Sequence, residues 1–317
     1  MTIAYLLNDY GSETPTTFVL RKALIGGADP VLRPIWVRRR RSWEEPLRTD
    51  WDEVPCYSVG LPGNGRLGRW IAALQTAWIF RKHCVRLAHL HWSGVDHWGF
   101  SNLRLLAPGL PYLLTFHAFN ARRLERHDQL DVPVLKGLLA GAHRVSAVSL
   151  ALREEIVELC PEAAGNIQVV PNGVEPSTAV DIAPQGLPKD FILSVGMLCS
   201  LKGGDLLLFA LFDLWREGSL KTPLVLCGQD APRGQLRRLI EALKLQDRVY
   251  LLPDCPHEVV LSLMKRCLFF VSASREEAFG LAIMEALAEG KAVVAPRVGG
   301  VPEFVTHDEN GLLFTPG

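Results

Sequence analysis

The chain has 317 residues, 48% hydrophobic and 21% charged; this balance excludes a disordered or fibrous polymer and leaves room for two domains of ordinary size. Lys plus Arg number 34, as do Asp plus Glu, so the basic surplus of a nucleic-acid binder is absent and no nucleic-acid partner is expected. The seven cysteines show no metal-like spacing, and an odd number cannot all pair within one chain, so a reduced, cytoplasmic setting is expected.

Met1 to Leu7 is apolar but too short for the core of a secretory signal, and Asn8-Asp9 interrupts it, so none is expected. No apolar run approaches the roughly 18 residues of a membrane helix. Ile3 to Leu7 reads as a first strand, followed by a polar loop and a helix near Thr17 to Ile25 that Gly26-Gly27 ends. Val31 to Val37 is a second strand candidate. It runs into Arg38 to Arg41 and Ser42-Trp43, a run that is either a solvated loop or a contact for anionic lipid or a phosphate-bearing acceptor. Asp50-Trp51-Asp52 spells D-x-D but follows no clear strand, and is read as a surface loop without a metal.

Gly65 to Arg86 carries a helical pattern. Its apolar part, Trp70 to Phe80, contains Gln75 and meets Arg81-Lys82-His83, and reads as a core helix. Leu87 to Trp92 is the next strand, on which His89 and His91 share one face. His97 has no assigned role. Pro111 to Asn120 contains a strand with Thr115, His117 and Asn120 at its carboxyl end, where a doubly wound domain places its ligand. Arg144 to Val148 is a strand, Ser149 an N-cap, Leu150 to Leu159 a helix, and Asn166 to Val170 a strand. The stretch to Asp190 is rich in Pro, Ala and Gly and lacks periodicity, so it reads as a linker.

Phe191 to Val195 restarts the strand pattern. Lys202-Gly203-Gly204-Asp205 then opens a helix from Leu206 to Trp215. Leu224 to Gly228, Val249 to Leu252 and Cys267 to Val271 are further strands, separated by helices near Gln235–Leu243 and His257–Met264. Polar residues Ser272 to Glu277 form a loop, and Ala278-Phe279-Gly280-Leu281 leads into a helix of about ten residues that Gly290 stops. A strand at Ala292 to Ala295 follows. Strand, loop, helix, strand is the unit of a parallel sheet. Glu277 stands at the mouth of the helix and Glu285 one to two turns inside it. The free N–H groups and dipole of the helix start suit a phosphate, and Gly280 permits close approach to backbone. A phosphate between two hydroxyl-binding carboxylates matches a nucleotide-diphosphate sugar. Two acids that merely complement the helix dipole are the plainer alternative.

This stretch resembles the E-x7-E signature of the family-four retaining glycosyltransferases of GT-B fold. The match runs through Ser274, Glu277, Phe279-Gly280-Leu281, Glu285-Ala286, Ala288, Gly290 and Val293-Val294-Ala295. Ala273, Ala278 and Lys291 depart from the pattern without removing a charged or hydrogen-bonding group. Gly11 to Val19, the His89–Trp92 element, Pro111 to Asn120, Pro171-Asn172-Gly173-Val174, Lys202-Gly203, Gly299 to Glu303 and Asn310 to Phe314 are similar to further family elements.

The resemblance implies an α/β fold of two Rossmann-like domains facing across a cleft. Residues 1–172 form the acceptor-side domain, 173–190 the linker, and 191–317 an incomplete nucleotide-sugar-binding domain, the C-terminus being short for the family. It implies retaining transfer of a sugar from a nucleotide-diphosphate donor to an acceptor hydroxyl on a saccharide or lipid-linked saccharide. No cofactor or metal is expected. Glu277 and His117 are the implied catalytic residues. Lys202, Phe279, Gly280, Leu281 and Glu285 are the implied donor-binding residues, and Ser12 and Glu13 face the acceptor. Met197 stands where the family usually has a second phosphate-binding Arg. Peripheral contact with the inner membrane face is a further partner expectation. The competing readings are a non-catalytic nucleotide-sugar-binding or scaffold protein and a GT-B nucleotide-sugar epimerase.

Overall fold

The computed structural model describes the chain outside residues 8–32, 40–41, 45, 52–53, 62–65, 93–99, 118–130, 175–181, 183, 230–233, 253–254 and 317. Two compact units, Met1–Val170 and Pro171–Gly317, are each described by themselves.

The first unit contains β1 (Thr2–Leu7), β2 (Arg33–Arg39), β3 (Arg48–Trp51), β4 (Val54–Val59), α1 (Arg66–Lys82), β5 (Val85–Trp92), α2 (Phe100–Leu106), β6 (Tyr112–Phe116), α3 (Asp131–Gly141), β7 (Arg144–Ala147), α4 (Leu150–Leu159) and β8 (Ile167–Val169). They build a sheet in the order β3-β4-β2-β1-β5-β6-β7-β8. Every neighbouring pair is parallel except the edge pair β3–β4. The chain winds outward from β1 through β2, then returns to add β5 on the other side, so the order reverses between β1 and β5. Ser149 caps α4, its hydroxyl accepting the Leu152 N–H at 3.0 Å, a contact worth about 1 kcal/mol.

The second unit contains β9 (Ile192–Val195), α5 (Gly204–Arg216), β10 (Leu224–Cys227), α6 (Gln235–Ala242), β11 (Val249–Leu252), α7 (His257–Arg266), β12 (Phe269–Val271), α8 (Leu281–Ala288), β13 (Val293–Pro296) and β14 (Gly311–Phe314). The sheet is parallel throughout, in the order β11-β10-β9-β12-β13-β14. Its central strands are largely buried on both faces, as a parallel sheet demands, whereas the edge strand β14 leaves Leu312 and Phe314 exposed. Leu193, Val225 and Phe270 pack with Leu263 of α7 and Ile283 of α8. The alternate residues Ile192, Leu224 and Val271 pack with Leu208 of α5 and Ile240 of α6. A helix pair therefore covers each face, and the order reverses between β9 and β12.

Three sequence expectations need correction. Asp50-Trp51 belongs to β3 rather than to a loop, because Thr49 and Asp50 pair with Cys56 and Pro55 of β4; Asp52 lies outside the described residues. Arg38 belongs to β2, where its Nε donates to Ser58 Oγ of β4 at 3.1 Å, so the arginine run begins inside the sheet. The helix read as a core element is buried on one side only: Ala73, Thr76 and Phe80 are covered, whereas Leu67, Trp70, Leu74 and Trp78 are exposed. Strands β3 and β4 and helices α2 and α3 had no counterpart in the sequence reading, because they are short and weakly periodic.

Candidate functional site

In open parallel sheets, ligands bind beyond the carboxyl ends of the strands where the strand order reverses. In the second unit this point is the crest between β9 and β12, and three loops build it. After β9 the chain makes a 3₁₀ turn at Ser200–Lys202 that ends on Gly203, in the left-handed region at φ 65°. A Cβ on Gly203 would lie 1.8 Å from the Ala273 carbonyl oxygen, so only glycine lets the two loops close up. After β13, Gly299 at φ +50° packs on the loop from the other side; its Cβ would lie 1.5 Å from the Glu277 carbonyl oxygen. The segment from Ala273 to Glu277 is thus held between two close backbone approaches.

This frame sets Lys202 against Glu277. Lys202 Nζ lies 2.5 Å from Glu277 Oε1, and Ser274 Oγ donates to the same oxygen at 3.0 Å. Oε1 is therefore engaged by the protein, leaving Oε2 for a ligand hydroxyl. The Glu277 side chain is only 14% exposed, while that of Lys202 keeps 37%. Arg275, in the same loop, forms a bidentate pair with Asp205 at 2.8 and 2.9 Å and also donates to the Ser200 carbonyl. That pair lowers the Asp205 pKa, chiefly through the Arg275 hydrogen bond, and fastens the loop to the start of α5. Met197 is 60% exposed.

Gly280, at φ 97°, caps α8 with no side-chain hydrogen bond. The α8 start therefore keeps backbone donors available, as an anion site requires. Phe279 is buried and its ring packs on Phe304 with centroids 5.2 Å apart; its side chain is core, and backbone is what it can offer a ligand. Leu281 is half-buried. Glu285 lies within α8, and its Oε1 is 3.0 Å from His257 Nε2 at the start of α7. No sequence signal singled out His257; only the packing of α7 beside α8 reveals the contact.

At the crest of the first unit, β1, β5 and β6 assemble a second polar group. His91 Nδ1 lies 2.8 Å from His117 Nε2, and the rings stack with centroids 5.1 Å apart. His89 Nε2 is 2.8 Å from Thr115 Oγ1, which is 2.7 Å from Ser146 Oγ on β7. Tyr5 packs on both His89 and His91. Burial pushes His89 down to about 4, and burial followed by the neighbouring His89 charge pushes His117 to about 4. Burial, then His89 and His117, holds His91 well below its ordinary value. All three imidazoles are therefore neutral at pH 7. His91 Nε2 and His117 Nδ1 are buried and find no partner among the described residues. Ser12, Glu13, His97 and Asn120 lie outside the described residues. Among the described residues, no group of three His, Cys, Asp or Glu has the arrangement of a metal site.

Two family models match the chain. The model described as Glycosyltransferase Family 4 covers residues 34–178, and the model described as Glycosyl transferases group 1 covers residues 181–317. Among curated relatives, a D-inositol 3-phosphate glycosyltransferase of Xylanimonas cellulosilytica is 34% identical over 208 residues, covering 58% of this chain and 49% of the relative. A phosphatidylinositol N-acetylglucosaminyltransferase component of Arabidopsis thaliana is 31% identical over 179 residues, covering 55% of this chain and 39% of the relative. The chain spans about half the length of the curated relatives it matches. Among solved structures, sucrose-phosphate synthase of Thermosynechococcus elongatus has a TM-score of 0.77 at 20% identity, covering 99% of this chain and 86% of that one. Anabaena HepE in complex with UDP-glucose has a TM-score of 0.77 at 22% identity, covering 100% and 86%. With both units matched by the models and the whole described fold shared with GT-B transferases, the chain belongs to glycosyltransferase family 4.

Proposed function

We propose that this chain transfers a sugar, with retention of anomeric configuration, from a nucleotide-diphosphate donor to an acceptor hydroxyl. The observation that carries this reading is the meeting of Lys202 and Glu277 at the β9–β12 crest, beside the glycine-capped start of α8. It is supported by the HepE complex with UDP-glucose and by the transferase names of the relatives. The α8 backbone donors from Phe279 to Leu281, with Lys202, hold the diphosphate. Glu277 takes the donor sugar hydroxyls and stabilises positive charge developing at the anomeric carbon. Glu285 takes the ribose hydroxyls, and His117, the second catalytic residue that the family resemblance implies, offers a neutral hydrogen-bonding imidazole.

In the reaction the bond from the anomeric carbon to the phosphate oxygen breaks and a bond to the acceptor oxygen forms. The acceptor proton passes to the departing phosphate oxygen. Lys202 and the α8 dipole offset the charge that builds on the leaving group, the duty a divalent metal performs elsewhere, so no metal or cofactor is required. With Met197 in place of a second cation and Arg275 paired to Asp205, Lys202 is the one side-chain cation assigned to the phosphates.

The acceptor is a saccharide or a lipid-linked saccharide. The phosphatidylinositol and inositol-phosphate acceptors in the relatives' names favour a polar headgroup hydroxyl. None of the seven cysteines is in a disulfide, which favours a cytoplasmic setting. No helix among the described residues is long and apolar enough to cross a membrane, so membrane contact is proposed as peripheral.

The test is a thermal-shift panel of nucleotide diphosphates and their sugars, on the wild type and Glu285→Ala, followed by a transfer assay with whichever donor binds. A shift for one nucleotide that the variant loses, and turnover that requires acceptor, supports the proposal. Turnover of donor without acceptor points to an epimerase. Binding without any turnover points to a scaffold.

A further inference from the structure

Helix α1 is apolar on two opposite sides. One side is buried against the first unit. On the other, Leu67, Trp70, Leu74 and Trp78 follow at intervals of three, four and four, which is one stripe of an α-helix. They are 69%, 42%, 56% and 59% exposed. Single exposed apolar residues are ordinary; two Trp and two Leu in one line are the mark of a surface that meets something.

The charge around this stripe says what it meets. The 17 residues of α1 contain Arg66, Arg69, Arg81 and Lys82 and no acidic residue, in a chain whose basic and acidic residues balance only when counted as a whole. Arg81 and Lys82 are exposed at the end of the stripe. Lys82 Nζ lies 5.0 Å from the Trp78 ring centroid, so a cation and an indole share one spot. Trp beside Lys or Arg suits the headgroup level of a bilayer, with the indole and the lysine stem in the apolar layer and the ammonium among phosphates. Helix α2, packed against α1, adds Leu105 at 71% exposure. A second copy fits less well: an isologous α1–α1 contact would set cations against cations with no acid on either helix.

We infer that the exposed face of α1 is a peripheral docking surface for an anionic membrane, with Leu67, Trp70, Leu74 and Trp78 entering the interface and Arg81 and Lys82 meeting lipid phosphates. This assignment does not rest on the transferase reading, because lipid binding is measured without donor or acceptor. A surface of this kind holds the first unit where a headgroup hydroxyl lies.

The experiment is flotation of the full chain with phosphatidylcholine vesicles, with and without phosphatidylglycerol. The variants are Leu74→Glu/Trp78→Glu, Arg81→Glu/Lys82→Glu, and, as a control for the other lipid contact that the sequence offers, Trp43→Ser at the exposed aromatic beside the arginine run. Each is first shown by its melting curve to be folded. The wild type is expected to float with anionic vesicles and the apolar variant to lose about tenfold or more in partition. The charge variant is expected to lose the preference for anionic lipid, and the control to float like the wild type. Folded wild type that ignores anionic vesicles, or an apolar variant that floats equally well, overturns the assignment. So does loss of flotation in the Trp43 control alone. A wild-type dimer in sedimentation velocity that the apolar variant converts to monomer overturns it in favour of self-association.

Discussion

Lys202 and Glu277, 75 positions apart in the chain, meet at 2.5 Å because β9 and β12 are neighbours in the sheet. The ammonium both holds the carboxylate in place and remains exposed enough to face a phosphate. Lys202→Ala and Glu277→Gln are each expected to lower kcat for transfer by about 10²-fold or more. Because the two groups touch, the double variant is expected to lose less than the product of the single effects. Steady-state rates of the four proteins with a donor that binds check this, and strictly multiplicative losses would show that the two act independently.

Glu285 contacts His257 through one oxygen, which fixes the carboxylate while leaving the other oxygen for a ligand. Glu285→Ala is expected to abolish the thermal stabilisation given by the nucleotide, about 2.7 kcal/mol at a hundredfold excess over Kd. His257→Ala is expected to weaken nucleotide binding, seen as a raised donor KM with little change in kcat, and His257→Gln to restore much of it. Isothermal titration with the nucleotide diphosphate alone measures these effects without turnover.

Gly299 and Gly203 carry the loop of the candidate site by having no side chain. Gly299→Ala would place a Cβ 1.5 Å from the Glu277 carbonyl oxygen at φ +50°, and Gly203→Ala one 1.8 Å from that of Ala273 at φ +65°. Strained backbone alone costs about 1–3 kcal/mol, and the loop must also move. Gly137→Ala, in α3 with nothing within 4 Å of its Cβ, is the contrast, expected to stabilise by up to about 1 kcal/mol. Urea unfolding of the three variants reads both signs.

The histidine cluster makes the first unit acid-sensitive. His89 and His117 sit at about 4 when folded, below the ordinary value near 6.5. Between those values the unfolded chain binds more protons, so stability rises with pH across the window and falls on acidification toward 4. A melt at pH 5 is therefore expected below one at pH 7.5, and His89→Gln is expected to reduce the difference. An unchanged melting temperature between the two pH values would sink this account.

A chelator tests the role given to Lys202. With ammonium and helix dipole neutralising the leaving diphosphate, transfer in excess EDTA is expected to match that in buffer alone. A loss that magnesium restores would assign the phosphate charge to a metal instead.

Elements whose causes are local were legible in the residues alone. The runs at Leu224–Cys227, Val249–Leu252 and Phe269–Val271 are short, apolar and bounded by polar residues, so they could be little else than buried parallel strands. Ser149 announced the start of α4, and the order loop, glycine, helix placed Glu277 and Glu285 around the start of α8. Whatever depends on partners distant in the chain was settled by folding. The strand order brings Lys202 to Glu277, packing of α7 on α8 brings His257 to Glu285, and β5 beside β6 joins His91 to His117. Asp50 became part of a strand because β4 offered an edge. Apolar periodicity identified α1 as a helix, but only packing could show which of its two apolar sides the protein covers and which it leaves facing outward.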